Sequence, residues 1–175
     1  MSKQEISTRD RILNAVESLL ASHGASGVTL DAVAAEAGVS KGGLLYHFRS
    51  KSDLYDGLVA RLRAKEQRQM DAAKDGDAID LFLRASELQH GESANLWALF
   101  TTLRGNTDLS ERARADIVYI FQAWRDVLTD AVGDPVLAET IRLVGDGLFL
   151  SSIAGLPIPD ENTVNAIVDR LQPQR

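Results

Sequence analysis

A glycine-containing turn between two short apolar repeats constrains the fold of this chain more than any other feature. Apolar residues recur at i, i+3, i+4 and i+7 from Leu30 to Ala37, which predicts a helix with a narrow buried stripe. Gly38 can adopt the left-handed conformation that ends a helix, and the Ser40 side chain can accept hydrogen bonds from the free N–H groups of a second helix. The pattern therefore predicts a helix-turn-helix over residues 29–48.

The second helix of this motif carries side chains that suit a phosphate-bearing partner. Leu44 and Phe48 are four residues apart and can anchor the helix inward. Two glycines in its first turn would let the backbone approach a surface closely. An ordinary helical hairpin with a solvated face has the same periodicity, so the pattern alone leaves both interpretations open. The outward positions are Lys41, Leu45, Tyr46 and His47.

Three dispersed segments resemble the DNA-binding domain of TetR-family transcriptional regulators. They are Thr-Arg-Asp-Arg-Ile-Leu at 8–13, Thr-Leu-Asp-Ala-Val-Ala at 29–34 and Gly-Val-Ser-Lys-Gly-Gly-Leu-Leu-Tyr-His-Phe-Arg-Ser-Lys at 38–51. The resemblance implies an all-α protein of about nine helices. It places a three-helix DNA-binding domain at residues 6–66 and a helical effector-binding and dimerisation domain at residues 67–175.

The resemblance also assigns DNA contacts to individual residues. It implies phosphate contacts for Thr29, Tyr46 and Lys51, and an approach of Lys41 to bases or backbone. The full set of DNA-contacting positions that it implies is Thr29, Ser40, Lys41, Gly42, Gly43, Leu45, Tyr46, His47 and Lys51.

Two of these positions depart from the common family pattern. Many members have tyrosine where this chain has Leu45, so an apolar contact, such as one to a thymine methyl group, would replace a phosphate contact. Many members also carry a base-reading side chain at the position of Gly43. We therefore expect sparse direct readout, with much of the specificity coming from DNA shape and backbone fit.

The uneven distribution of charge permits DNA binding without establishing it. The net charge is −6, which by itself is unlike the basic balance of many nucleic-acid-binding proteins. Residues 1–65 contain nine Lys and Arg against seven Asp and Glu, a balance of +2, whereas residues 66–175 carry −8. The acidity therefore lies outside the segment that resembles a DNA-binding domain.

Several other classes of protein lack support in the sequence. There is no cysteine, the three histidines do not cluster, and no glycine-rich phosphate loop or metal-ligand spacing occurs, so we expect neither an enzyme nor a cofactor. The first residues lack the apolar region of a signal peptide. The longest uncharged stretch, residues 147–159, is too short to span a bilayer, and we expect a cytoplasmic protein.

Aromatic residues in the second part predict an effector pocket. Trp97, Thr101 and Arg104 are spaced i, i+4 and i+7, which would give a pocket an aromatic wall and a cation. The alternative is that Trp97 lies in the core and Arg104 is exposed. The predicted pocket residues are Trp97, Phe100, Thr101, Arg104, Tyr119, Phe121 and Trp124.

The helix predicted to begin at Asp134-Pro135 has two apolar faces, which need two partners. One partner is the core of the same chain, and the other is expected to be a second subunit. In the family that the chain resembles, the final two helices form a four-helix bundle across a two-fold axis. The predicted interface residues are Leu143, Gly147, Leu150, Ala154, Val164, Ile167, Val168 and Leu171.

These observations predict a homodimeric transcriptional repressor that binds a palindromic operator in double-stranded DNA, since two-fold symmetry in the protein requires two-fold symmetry in the site. A small-molecule effector would release it from DNA. The alternative is a DNA-binding regulator or architectural protein without such an effector, which is either constitutive or controlled by a partner protein.

Overall fold

The computed structural model describes residues 6–86 and 109–172, apart from the side chain of Ile153. All regular structure in these residues is α-helical, as predicted. The helix predicted between residues 93 and 104 lies outside the described residues. The eight helices are α1 (Thr8–Gly27), α2 (Leu30–Glu36), α3 (Lys41–His47), α4 (Lys51–Lys74), α5 (Ala78–Ser86), α6 (Glu111–Val132), α7 (Pro135–Ala154) and α8 (Glu161–Leu171).

The described residues fall into two compact units, each with its own core. The first contains residues 6–61 and 109–114, and the second contains residues 62–86 and 115–172. Helices α4 and α6 contribute residues to both units.

Side chains cap the starts of the helices in the first unit. The Oγ atom of Ser7 accepts a hydrogen bond from the Asp10 N–H at 3.1 Å and so caps α1. The sequence predicts that α1 ends at Gly24. Gly24, with a φ of 66°, does interrupt the helical backbone, and a further short helical segment then extends α1 to Gly27. The buried apolar residues of α1 are Ile12, Leu13, Ala15, Val16 and Leu20.

The second unit has a core formed by α5, α6, α7 and α8 with the end of α4. The Phe82 ring of α5 packs on the Trp124 ring of α6, with centroids 5.0 Å apart and planes inclined by 51°. Asp134 caps α7 ahead of Pro135, as predicted, and its Oδ1 atom accepts from the Val136 N–H at 2.8 Å.

The buried face of α6 is centred differently from the apolar stripe that the sequence predicts. Ile120, Trp124 and Leu128 are buried as expected, and Val127 joins them. Phe121, which the sequence places on the same stripe, is 38% exposed. Phe121 lies at the border of the buried face, because that face is centred on Ile120, Trp124 and Val127.

Gly57 of α4 occupies a position in the first unit that has no room for a larger residue. A Cβ atom added there would lie 2.7 Å from the Phe48 ring and 3.1 Å from a methyl carbon of Leu13. Both neighbours belong to buried side chains, with Phe48 3% and Leu13 0% exposed. The glycine therefore allows α4 to pass close to the residue that anchors the end of α3.

Gly57→Ala should lower the free energy of unfolding by about 1–3 kcal/mol, because overpacking outweighs the gain in helix propensity. Thermal and urea unfolding followed by circular dichroism would measure the change. Gly42→Ala is the matched control, since a Cβ atom there meets no atom within 4 Å. Equal stability of the two variants would contradict the packing described for Gly57.

Candidate nucleic-acid interface

Helices α2 and α3 form the predicted helix-turn-helix, and the turn between them has the expected backbone. Gly38 adopts a φ of 63°, in the left-handed region that favours glycine. The next residue folds back, with the Val39 N–H donating to the Ala34 carbonyl at 3.0 Å. Ser40 then caps α3, since its Oγ atom accepts from the Gly43 N–H at 3.0 Å. The predicted roles of Gly38 and Ser40 in the turn are therefore confirmed.

Helix α3 is held by two buried side chains and presents its other side to solvent. Leu44 is 0% exposed and Phe48, which follows the helix, is 3% exposed. Tyr46 is 85% exposed, and its ring meets the His47 ring edge to face at a centroid distance of 5.1 Å. Leu45 is also exposed. The structure thus brings the tyrosine, the imidazole and the leucine to the surface, as the pattern predicts.

The start of α3 combines a cation with two residues that lack side chains. Gly42 faces open space, whereas a Cβ atom at Gly43 would lie 3.2 Å from the Ser40 hydroxyl oxygen. Lys41 forms an ion pair with Asp31 of α2, with 2.9 Å between Nζ and Oδ1. The spacing in the sequence gives no sign of this pair, because nine residues lie between its members and only the turn brings them together.

Thr29 and Lys51, the two outer members of the predicted set, are engaged within the chain. The Oγ1 atom of Thr29 accepts from the Ala32 N–H at 3.1 Å and caps α2, while the residue stays exposed. The Lys51 ammonium group donates to the Ala25 carbonyl at 2.8 Å and lies 5.5 Å from the centre of the Tyr55 ring. An ammonium group has three donors, so this bond leaves capacity for a second acceptor.

The second unit holds three of the residues predicted to line an effector pocket. Trp124 is buried, and its indole N–H donates to an Oε atom of Glu66 at 2.9 Å. The Tyr119 hydroxyl donates to Gln67 at 3.1 Å, and Arg63 lies 4.3 Å from the centre of its ring. Phe121 is exposed and does not belong to the core. The predicted pocket residues Trp97, Phe100, Thr101 and Arg104 lie outside the described residues.

The residues predicted for a subunit interface separate into two groups. One group forms the exposed side of α7, where Leu143 is 57% and Leu150 is 54% exposed. Gly147 and Ala154 share this side and are also exposed. In the other group, Val164 and Val168 of α8 are buried in the core of their own chain, and Ile167 and Leu171 pack partly buried against it.

A partly buried cluster of charges borders the exposed side of α7. Arg142 pairs with Glu139, with 2.7 Å between Nη2 and Oε1, and also with Asp146. The hydrogen bond from Arg142 lowers the pKa of Glu139 below its ordinary value. Burial raises the pKa of Asp146, against the opposing effect of the same arginine.

The described residues, 6–86 and 109–172, show neither a metal-binding cluster nor a membrane-spanning helix. No group of three His, Asp or Glu side chains in these residues is arranged to hold a metal ion. No helix among them combines the length and apolar character that crossing a membrane requires.

Comparison with known proteins identifies both parts of the chain. Residues 12–58 match the family model for bacterial regulatory proteins of the tetR family, and residues 76–174 match the tetracyclin repressor-like C-terminal domain. The HTH-type transcriptional repressor BepR of Brucella suis biovar 1 (strain 1330) is 34% identical over 68 residues, which are 38% of this chain and 32% of that protein. The chain therefore matches about a third of the length of this curated relative.

Solved structures match over nearly the whole chain. A member of the TetR family from Streptomyces coelicolor A3 has a TM-score of 0.74 and 20% identity, covering 96% of this chain and 99% of that one. The multidrug binding protein EbrR, in complex with malachite green, has a TM-score of 0.72 and 23% identity, covering 95% and 98%. At these identities the likeness shows the fold alone. Since the second family model spans more than half of the chain and the first spans the helix-turn-helix, the chain belongs to the tetR family of bacterial regulatory proteins, which are regulators and not enzymes.

Proposed function

We propose that the chain is a transcriptional repressor that binds a palindromic operator as a homodimer and is released by a small-molecule effector. The observation that carries this proposal is the exposed side of α3, where Tyr46 is 85% exposed although its neighbour Leu44 is fully buried. A large aromatic side chain held in solvent on a firmly anchored helix fits a partner surface better than a role in the core. The relative BepR, named as a transcriptional repressor, matches over 68 residues.

The proposed contacts with DNA use exposed side chains of α3. The Tyr46 hydroxyl and the His47 ring would bind phosphate oxygens, and Lys41 would approach bases or backbone. Because Gly42 and Gly43 add no side chains at the start of α3, that end can approach the floor of a major groove closely. Leu45 would supply an apolar contact to a thymine methyl group.

Tyr46→Ala should weaken binding to the operator by about tenfold per recognition helix, as expected for the loss of a hydrogen bond to a charged phosphate. Fluorescence anisotropy on a genomic fragment recovered by pull-down with the purified protein would measure the affinity. The melting temperature should stay at the wild-type value because the ring is exposed. Tyr119→Ala is the control for loss of a surface tyrosine in the other unit. A large loss of thermal stability in Tyr46→Ala would contradict the proposed role.

The homodimer is proposed from the exposed side of α7. Its residues recur at alternating intervals of four and three, a pattern with which two helices can pack along their length. These residues form a stripe along α7. It has large side chains at Leu143 and Leu150, and Gly147 between them lets a second helix approach closely. The proposed interface rests on this stripe rather than on Val164 and Val168, whose side chains the chain's own core already buries. The stripe is Val136, Thr140, Leu143, Gly147, Leu150 and Ala154.

Leu143→Glu combined with Leu150→Glu should convert the dimer to monomer at micromolar concentration, because each carboxylate would have to lose its hydration on association. Sedimentation velocity would measure the mass, and operator binding should fall with it. Val118→Glu on α6 is the matched control, since Val118 is 54% exposed like Leu150. A double variant that remains dimeric would place the interface elsewhere.

The effector is proposed to bind in the second unit, beside the aromatic pair of Phe82 and Trp124. The Glu66 carboxylate accepts from the Trp124 indole N–H, so an anionic group and two rings lie together. This combination suits a flat cation, through charge and through contact with ring faces. EbrR, whose fold is similar, has been solved with malachite green, a probe of that kind.

Malachite green should quench the fluorescence of Trp124 in a saturable manner. The titration uses the Trp97→Phe variant, in which Trp124 is the one remaining source of tryptophan fluorescence. Glu66→Gln, which keeps an acceptor for the indole and removes the charge, should weaken dye binding by about tenfold or more. Asp71→Asn is the control on the same helix, because Asp71 is exposed and pairs with Lys74. Absence of saturable quenching would favour the alternative, a regulator that is constitutive or controlled by a partner protein.

A further inference from the structure

The ion pair between Asp31 and Lys41 places an anion on the surface proposed to meet DNA. Asp31 lies in the first turn of α2, two residues after Thr29, and Lys41 is the first residue of α3. The side chains are 75% and 59% exposed, so the pair stands on the solvent side of the motif. The carboxylate is favourably placed at the start of α2, where the helix dipole stabilises negative charge.

The pair matters because cationic side chains are scarce in α3. In α3, Lys41 is the one lysine, and there is no arginine. Lys51, the other lysine of the proposed contact set, already donates to the Ala25 carbonyl. An anion that pairs with Lys41 therefore offsets the charge of the one lysine in α3.

We infer that Asp31 limits the affinity of this protein for DNA: its carboxylate holds the Lys41 ammonium group as a phosphate would, and DNA must displace it. The inference rests on the proposed DNA-facing role of Lys41. Forming the lysine–phosphate contact costs the ion pair and brings the Asp31 carboxylate close to the phosphate backbone. Both effects weaken binding on any sequence, so weak electrostatic attachment to DNA outside the operator is suppressed.

The ion pair also changes how binding depends on salt concentration. A lysine that is already paired releases little additional counterion when it exchanges a carboxylate for a phosphate. A lysine without this partner would release the counterion of the phosphate that it neutralises. Asp31 thus makes binding both weaker and less sensitive to salt.

Asp31→Asn tests the inference on the full-length protein with a labelled mixed-sequence duplex of about 30 base pairs, long enough for two half-sites. We expect affinity to rise by about 1.5- to 5-fold per recognition helix, the range measured for exposed ion pairs. The slope of log K against log salt concentration should steepen by about one unit per subunit. A change in the folded structure alone would not move this slope in that direction.

Glu36→Gln is the matched control, because it removes the same charge from the same helix. Glu36 is exposed and accepts a hydrogen bond from the Ser18 hydroxyl at 2.9 Å, so its carboxylate is engaged with α1 rather than with Lys41. We expect this variant to leave the slope unchanged. If Asp31→Asn and Glu36→Gln tighten binding equally, the effect comes from the change in net charge and not from the loss of the ion pair, and the inference is wrong.

Lys41→Ala and the double variant Asp31→Asn/Lys41→Ala separate this inference from the proposed function. In the Lys41→Ala background, removal of the Asp31 charge should leave the salt slope unchanged, since the lysine that it neutralises is gone. If Lys41→Ala by itself leaves DNA binding unaffected, the proposed contact of Lys41 is wrong. If Lys41→Ala weakens binding but Asp31→Asn also weakens it, Asp31 orients Lys41 for DNA instead, and the inference alone fails.

Discussion

A seven-residue helix that contains two glycines has little stability of its own, because so few backbone hydrogen bonds form for the residues that become ordered. Helix α3 therefore depends on the burial of Leu44 and Phe48 in the core of the first unit, each contributing about 1.5–3 kcal/mol by the usual scale for apolar burial. Gly57 makes room for the Phe48 ring, and Ser40 satisfies the Gly43 N–H at the start of the helix. The side chains on the exposed side of α3 do not pack in the core, so they are available to bind a partner.

Three cationic side chains of the first unit are engaged by partners within the chain. Lys41 pairs with Asp31, Lys51 donates to a backbone carbonyl, and Arg61 pairs with Glu17 at 2.6 Å. With a net charge of −6 for the whole chain, general attraction to DNA is weak. Under the proposed function, such a regulator would rely on the fit of its recognition surface, and the sparse set of side chains on α3 would make DNA shape and backbone geometry the main sources of specificity.

Helix α7 contributes one face to the core of the second unit and the other face to the proposed dimer interface. Its inner face contains Gly145, where a Cβ atom would lie 2.3 Å from the Phe82 ring, so α5 and α7 pack closely within one chain. Its outer face exposes Leu143 and Leu150. Two apolar faces on one helix leave one face without a partner in the chain, and association of two copies is the simplest way to remove it from water.

The sequence by itself determined the all-α class and the helix-turn-helix, because caps, left-handed glycines and apolar spacing act over a few residues, and its resemblance to TetR-family regulators indicated the family. It also identified Tyr46 as exposed and Leu44 as buried, since a short helix with two anchors has only one orientation. Only the tertiary structure decided which faces of the long helices are buried. Phe121 is exposed on α6, and Val168 is buried in the core of its own chain. It alone revealed the pair of Asp31 with Lys41, as the approach of two helix starts depends on the path of the turn between them and not on the spacing of either residue.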